Sequence, residues 1–379
     1  MSVHRLLFAA AGLVVGYQIV SCGSSEVPTG ARSGAGGSSI GDSGARGGAP
    51  QAGSANGGAS TIDARADSPI VDSGRAGETG AGDDHAVSDS GLDASGFPNI
   101  LFDDFDYADR SDVALTQFGW TPKSGSGAPG AMNAVWSPDG VSFLTDPADS
   151  DAGGRDAAGG GASSSSRLMR LTSSTQGLTT ILQTEICQKF VFFEGTYAAR
   201  VRFVDTAFAG ASTDQVVETF FMISAPNTRD MGRTDYSECD LEYTPLGAWG
   251  SPAGLWAVTW ESYDYTDGQD VRNNLSLLTN GSRQGWHILN IVVMNGNVVY
   301  TVDGAAVSTH GGVYYPDSPM AICFNLWFSP VIADAGTQSW VEDVDWVLHV
   351  KGETLTAAAS EQKVADLRAR QFTRLNTIQ

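Results

Sequence analysis

Tyr236-Ser237-Glu238-Cys239-Asp240-Leu241-Glu242-Tyr243-Thr244 carries three carboxylates at strict period two, with Cys239, Leu241 and Tyr243 at the alternate positions. Successive side chains of a β-strand point to opposite faces. Glu238, Asp240 and Glu242 therefore share one face, and the apolar set packs behind them. Like charges in a row on one face repel. Such a row is either a solvated outer face or a chemical device. Two carboxyls cooperating at an acetal, one attacking and one donating a proton, are a well-known use of it.

Around this stretch the pattern is short strands separated by turn residues. It starts at Phe97-Pro98-Asn99-Ile100-Leu101-Phe102 and runs to about Val350. Ser166 to Thr172 and Gly195 to Phe203 alternate, Val216 to Ile223 is almost continuously apolar, as in a strand covered on both faces, and Leu255 to Trp260 is a further strand after the acidic one. Trp286 to Met294 and Asn297 to Val302 flank Asn295-Gly296, a strong hairpin signal. Met320 to Phe328 and Val344 to Val350 complete the set. Helical periodicity is missing here, so the fold class is all-β, a β-sandwich over 98–352. The tail, 353–379, has Val364, Leu367, Gln371 and Leu375 at helical spacing, with Arg368, Arg370 and Arg374 on the other side. It reads as a short surface helix lying against the sandwich.

The N-terminal part differs in kind. Residues 1–21 hold Arg5, an apolar run from Leu6 to Val15 and small residues near the end, the pattern of a secretory signal. That run is too short to cross about 30 Å of hydrocarbon. It ends in Ile19-Val20-Ser21-Cys22, which resembles the bacterial lipobox, where the Cys is lipidated and becomes the new N-terminus. Gly23 in place of Asp favours outer-membrane sorting. From Gly23 to Gly96 there is no aromatic residue and no lysine, and Gly, Ser, Ala and Asp dominate. Such a segment cannot bury enough apolar surface to offset its ordering entropy, so 22–97 reads as a lipidated Cys followed by a disordered tether. Its root-mean-square span is on the order of 50 Å.

The 379 residues carry a formal net charge of −21 and a pI near 4.4. That balance excludes nucleic acid, whose phosphates call for basic patches, and electrostatic docking on anionic lipid. A neutral polysaccharide is compatible with it. With Cys22 assigned to the anchor, Cys187, Cys239 and Cys323 are an odd number for an exported protein. One disulfide plus one free thiol and three buried thiols are both open. The apolar-alternating surroundings of all three favour buried thiols. His85, His287, His310 and His349 show neither metal spacing nor a Ser/His/Asp arrangement.

In order along the chain, Phe102-Asp103-Asp104-Phe105, Ser166 to Thr172, Phe193-Glu194-Gly195-Thr196-Tyr197-Ala198-Ala199-Arg200, Glu238-x-Asp240-x-Glu242, Trp286-His287, Tyr300-Thr301-Val302-Asp303-Gly304, Asn325-Leu326-Trp327 and Asp345-Trp346-Val347 resemble the landmarks of family 16 glycoside hydrolases. The resemblance implies a concanavalin A-like jelly-roll sandwich whose concave face binds β-glucans or related galactans. Carried over by position, Glu238 would be the nucleophile, Glu242 the acid/base and Asp240 the residue that orients and tunes the nucleophile. Asn325 and Trp327 would line the cleft, with Trp249, Trp260 and Tyr263 as further candidates, while Trp346 reads as core. Asp345 matches a position that holds a structural calcium on the convex side in several members; no other cofactor is implied. The uninterrupted E-x-D-x-E form goes with the lichenase-like and xyloglucan-transglycosylase-like branches. Ala198 stands where an acidic residue is common, which departs from strict lichenase specificity. A surface-tethered, monomeric, retaining endo-β-glucanase follows from the resemblance, acting on mixed-linkage β-1,3-1,4-glucan or a similar glucan. A transglycosylase and a non-catalytic glycan-binding sandwich are the alternatives. Its membrane contact would be through the lipid anchor alone.

That anchor is checked by Cys22→Ala, which is expected to leave the signal uncleaved or release the protein from membranes. Unchanged detergent partitioning of the variant would remove Cys22 as the anchor.

Overall fold

A computed structural model describes residues 87–88, 92–145, 167–225, 236–262, 265–266, 269–270, 273–331 and 336–378. Cys22, the signal, most of the tether, His85 and Tyr263 lie outside these residues.

Two antiparallel sheets form a jelly-roll β-sandwich. Six long strands, with the short Thr121–Pro122 at the edge, build the site sheet: β1 (Thr180–Cys187), β2 (Val216–Ser224), β3 (Glu238–Thr244), β4 (Gly254–Ser262), β5 (Asn273–Asn280) and β6 (Met320–Phe328). Their ladder order is β1-β6-β2-β3-β4-β5. The cover sheet runs Val141–Thr145, Arg167–Gln176, Thr337–Lys351, Gly195–Phe203, Gly285–Met294, Asn297–Val302, Ala305–Gly311. Between them lies one large core, where Phe220 and Phe324 stack with ring centroids 5.2 Å apart. Cys239, Leu241 and Tyr243 of β3 point into it. Asn295 and Gly296 both take positive φ, 54° and 76°, as a two-residue hairpin turn requires.

The tail departs from the helical expectation. The helix spans Ala357–Ala369, starting from the Thr356 side chain, which accepts from the Ala359 amide. Gln371 then adopts φ 66° and the chain turns away. Arg374–Asn376 becomes a strand against Ile100–Asp103, so Leu375, expected on a helix face, belongs to a sheet. The end of the expected tether is also part of the fold. Val87–Ser88 pairs with Leu375–Asn376, and Leu92 and Ala94 pack on a second apolar cluster. That cluster lies between the helix and the cover sheet and includes Phe102, Ala198, Trp346, Leu348, Val364 and Leu367. Trp346 is core as expected, but of this outer layer. Ala198 is fully buried in the same layer, so the missing acidic side chain would not have faced the acidic strand.

Cys187 and Cys323 form a disulfide, which corrects the expectation of three buried thiols; among the described residues Cys239 is the one free thiol, and it is buried. β1 is the reason. Its mixed polar sequence hid it as a strand, yet it sets Cys187 directly opposite Cys323 with the Cα atoms 4.2 Å apart.

On the outer face of the cover sheet, buried acids are paired with arginines. Arg170 donates to Asp343 at 2.6 Å, and Arg202 bonds the same carboxylate. Arg368 of the C-terminal helix bridges Asp104 and Asp345. Removing one member of a buried ion network leaves the other charge uncompensated. Arg368→Ala should therefore lower unfolding free energy by about 3–5 kcal/mol. Wild-type stability in denaturant titration would show that water replaces the guanidinium at no cost.

Candidate active site

Residues directly opposite in a ladder share a face, so the register maps the face of the site sheet turned away from the core. One row holds Glu238 of β3 opposite Trp260 of β4. The next holds Asp240, with Phe221 and Cys323 on one side and Val258 on the other. A third row crosses five strands: Glu185, Asn325, Thr219, Glu242 and Trp256. The sequence-based grouping of the three acids on one face is thus the observed one.

Although this face is not the core, it is recessed. Asp240 and Asn325 expose 3% and 4% of their surfaces, and Glu238 and Glu242 are half-buried. Burial raises the Asp240 pKa far above the carboxylate range. The charges of Glu238 and Glu242 add to the rise, and only a hydrogen bond from Trp260 opposes it. Burial, then the Glu238 charge, pushes Glu242 up to about 8. Tyr236 donates a hydrogen bond to the Glu238 carboxylate. Three acids here cannot all ionise together, and protons are held among them at neutral pH.

Polar atoms without partners lie beside them. Asn325 Oδ1, Thr219 Oγ1 and Trp256 Nε1, all in the row of Glu242, have no hydrogen-bond partner. Asn325 Nδ2 donates to Glu185 at 3.4 Å, and Glu185 pairs with Lys123 at 2.9 Å. Aromatic rings close one end of the recess. Trp249 lies 6.0 Å from both Trp256 and Trp327, Trp327 clusters with Trp136, and Lys123 sits 4.2 Å over the Trp136 ring.

Of the expected site residues, Glu238, Asp240, Glu242, Asn325, Trp327, Trp260 and Trp249 all fall on this face or its rim. Trp327 is nearly buried beneath Trp249, so Trp249 is the more accessible ring. Sequence reading missed Glu185, Thr219, Trp256, Trp136 and Tyr236. Trp256 had a signal, since it stands four residues before Trp260 on the same strand face. Tyr236 extends the period-two register of the acids.

Asp345 does not fit calcium. One of its oxygens accepts from Arg200 at 2.7 Å and the other from Arg368 at 2.9 Å. Burial alone would raise its pKa, but the two guanidiniums hold it below the ordinary range. A third cation has no free oxygen there, and calcium wants six to eight. Among the described residues no cluster of three or more His, Cys, Asp or Glu could hold a metal.

No family model and no curated protein matches this sequence. Solved structures do resemble the fold. A β-glucanase of Bacillus licheniformis is 16% identical over 67% of this chain and 99% of its own, with a TM-score of 0.43. A glycoside hydrolase family 16 endo-glucanase of Bacteroides ovatus is 15% identical over 65% and 98%, TM-score 0.45. A laminarinase of Flavobacterium sp. UMI-01 is 15% identical over 66% and 98%, TM-score 0.44. At these values the likeness assigns neither activity nor residue roles to this chain.

The raised Glu242 pKa has a consequence for stability. Between the unfolded value of 4.5 and the folded value of about 8, the folded chain holds more protons than the unfolded one. The stability Glu242 contributes is therefore complete below about pH 4.5 and is lost as pH rises toward 8. Glu242→Gln keeps the shape and cannot ionise, so its melting temperature should fall less than the wild type's between pH 5 and 8. Equal pH slopes would show that Glu242 ionises freely in the fold.

Proposed function

We propose that this sandwich is a retaining endo-β-glucanase. The observation carrying the proposal is the acid row: three carboxyls on one recessed face, with Asp240 and Glu242 held toward the protonated form by burial and by neighbouring carboxylate charge. A solvated face would leave such acids ionised; a reaction that needs one proton donor and one anion would not.

In this reading Glu238 attacks the anomeric carbon while Glu242, still protonated near neutral pH, gives its proton to the departing glycosidic oxygen. The bond to the leaving sugar breaks as the glycosyl–Glu238 ester forms. Glu242, now a carboxylate, then takes a proton from water, which opens the ester with a second inversion and so net retention. Asp240, buried between two like charges, resists ionisation despite the hydrogen bond from Trp260 and favours keeping the shared protons on this strand. Tyr236 holds the attacking carboxylate in place.

The unpartnered atoms of Asn325, Thr219 and Trp256 favour a polyhydroxylated ligand. Buried polar atoms without partners cost free energy, and hydroxyl groups of a bound glycan would remove that cost. Their row crosses the strands; its four inter-strand steps of about 4.8 Å give roughly 19 Å. A chain lying across the strands would meet them in turn and reach the Trp249 ring at the rim, where an indole suits the apolar face of a sugar. Tethering through Cys22 and the segment that precedes Val87 would place the enzyme at the cell surface, where glucan polymers are met.

Glu238→Ala should abolish glucan turnover, and added azide should restore cleavage with a glycosyl azide of inverted configuration. Glu242→Ala should cost about 10²- to 10⁴-fold on glucan yet spare substrates with good leaving groups, and azide should then give the retained anomer. Opposite anomers would exchange the two roles. Hydrolysis unchanged in both variants would end the assignment. Longer products from oligosaccharide donors would mark the transglycosylase alternative, since water and a sugar hydroxyl open the same intermediate.

A further inference from the structure

Directly behind the acidic strand, inside the core, lies a polar network that the reaction described above leaves unused. Cys239 faces the interior between Glu238 and Asp240 and stands opposite Thr259 of β4. Tyr300 reaches there from the Asn297–Val302 strand of the cover sheet. Its hydroxyl lies 2.6 Å from Thr259 Oγ1 and donates to the Val258 carbonyl at 2.7 Å. Thr259 Oγ1 is also 2.7 Å from His310 Nδ1, and His310 Nε2 is 2.8 Å from Ser308 Oγ. Cys239, Thr259, Tyr300 and His310 are all buried.

One proton assignment satisfies every contact. Ser308 donates to Nε2, Nδ1–H donates to Thr259, Thr259 donates to Tyr300, and Tyr300 donates to the Val258 carbonyl. The histidine is then neutral, in keeping with the fall of its pKa to about 4 on burial. Tyr197 and Tyr315 are the other ionisable groups turned toward Cys239, both kept neutral by burial; Glu238 and Asp240 face it from across the strand.

The chain ends at a meaningful carbonyl. Val258 is the ladder partner of Asp240, and the β4–β5 register breaks two residues further on, between Trp260 and Ser262. An apolar set would fill this volume with no hydrogen bonds to satisfy. We infer that Tyr300, Thr259 and His310 are positioning residues that fix the backbone at the Glu238–Asp240 step and so set how the carboxyls of β3 converge. The inference rests on the reading of that strand as the reactive one.

Thr259→Val is isosteric and removes the relay hydroxyl; Thr259→Ser restores it; Tyr300→Phe removes the terminal donor. Both Thr259→Val and Tyr300→Phe should lower kcat about tenfold or more with KM changed less than twofold, because a misplaced group costs the transition state rather than binding. The alkaline limb of the kcat/KM profile should shift, and Thr259→Ser should recover both. Carbon-13 NMR titration of labelled Asp and Glu carboxyls in the full chain reads the same shift without any substrate. If the wild type cleaves no glucan, the activity reading fails while a moved titration still supports the positioning role. Variants that melt earlier but keep the wild-type profile and titration would assign the network to core packing and overturn the inference. So would loss of folding in both Thr259→Val and Tyr300→Phe.

Discussion

Three carboxyls on one face of a recessed strand are the constraint on which the rest of this structure depends. Burial and mutual repulsion act on Asp240 and Glu242 in the same direction, and the relief for Asp240 is a neutral indole, not a cation. The same molecule shows the other solution on the far side of the cover sheet. Asp343 and Asp345 are just as buried, yet Arg170, Arg200, Arg202 and Arg368 meet their oxygens. Among the described residues, the arginines that meet buried acids on one sheet have no counterpart at Asp240 and Glu242 on the other. Perturbed groups gathered in a recess mark function more often than structure when no counter-charge explains them.

The parts of this arrangement that the sequence exposed are those governed by period. Alternation in β3 fixed which face holds the acids, and the Asn295-Gly296 turn fixed a hairpin. What stayed hidden depends on partners distant in the chain. β1 and β5 are too polar to read as strands, since Thr180–Cys187 and Asn273–Asn280 carry hydrophilic residues on both faces. Without β1, neither Glu185 nor the Cys187–Cys323 pairing could be seen. Only the ladder brings residues 136 positions apart into contact. Arg368 was misread for a related reason. Helical spacing put it on the solvent side, but the helix lies on a sheet whose buried acids draw it inward. The same helix arginine, with Arg200, occupies the Asp345 oxygens at which calcium was expected.

Tail and entry segment also show how local pattern yields to packing. Val364, Leu367 and Leu375 have the spacing of one helical stripe, and the first two do sit beneath the helix. Leu375 reaches the same apolar cluster by another route, as a strand residue after the reversal at Gln371. Burial of all three was legible; the backbone that achieves it was not. The pairing of Val87–Ser88 with that last strand extends the fold into a stretch whose composition is too poor in apolar residues to announce it.

The strand's own geometry leads to the final step. Across four residues of a flat strand, the Cα atoms of Glu238 and Glu242 would stand roughly 13 Å apart. Attack and protonation on opposite sides of one acetal bond need carboxyls about 5–5.5 Å apart. The Glu238 charge raises Glu242, so the two side chains do feel each other within the recess. Convergence of that kind cannot come from rotamers alone on a straight, untwisted strand; the backbone must bend toward the cleft. Bending opens the ladder on one side and exposes carbonyls to other donors. A tyrosine hydroxyl on the Val258 carbonyl, beside a register break, is what such a bend would require from behind. In the proposed reading the acid row and the polar network would be the two faces of one strand, the first used by the reaction and the second holding its backbone.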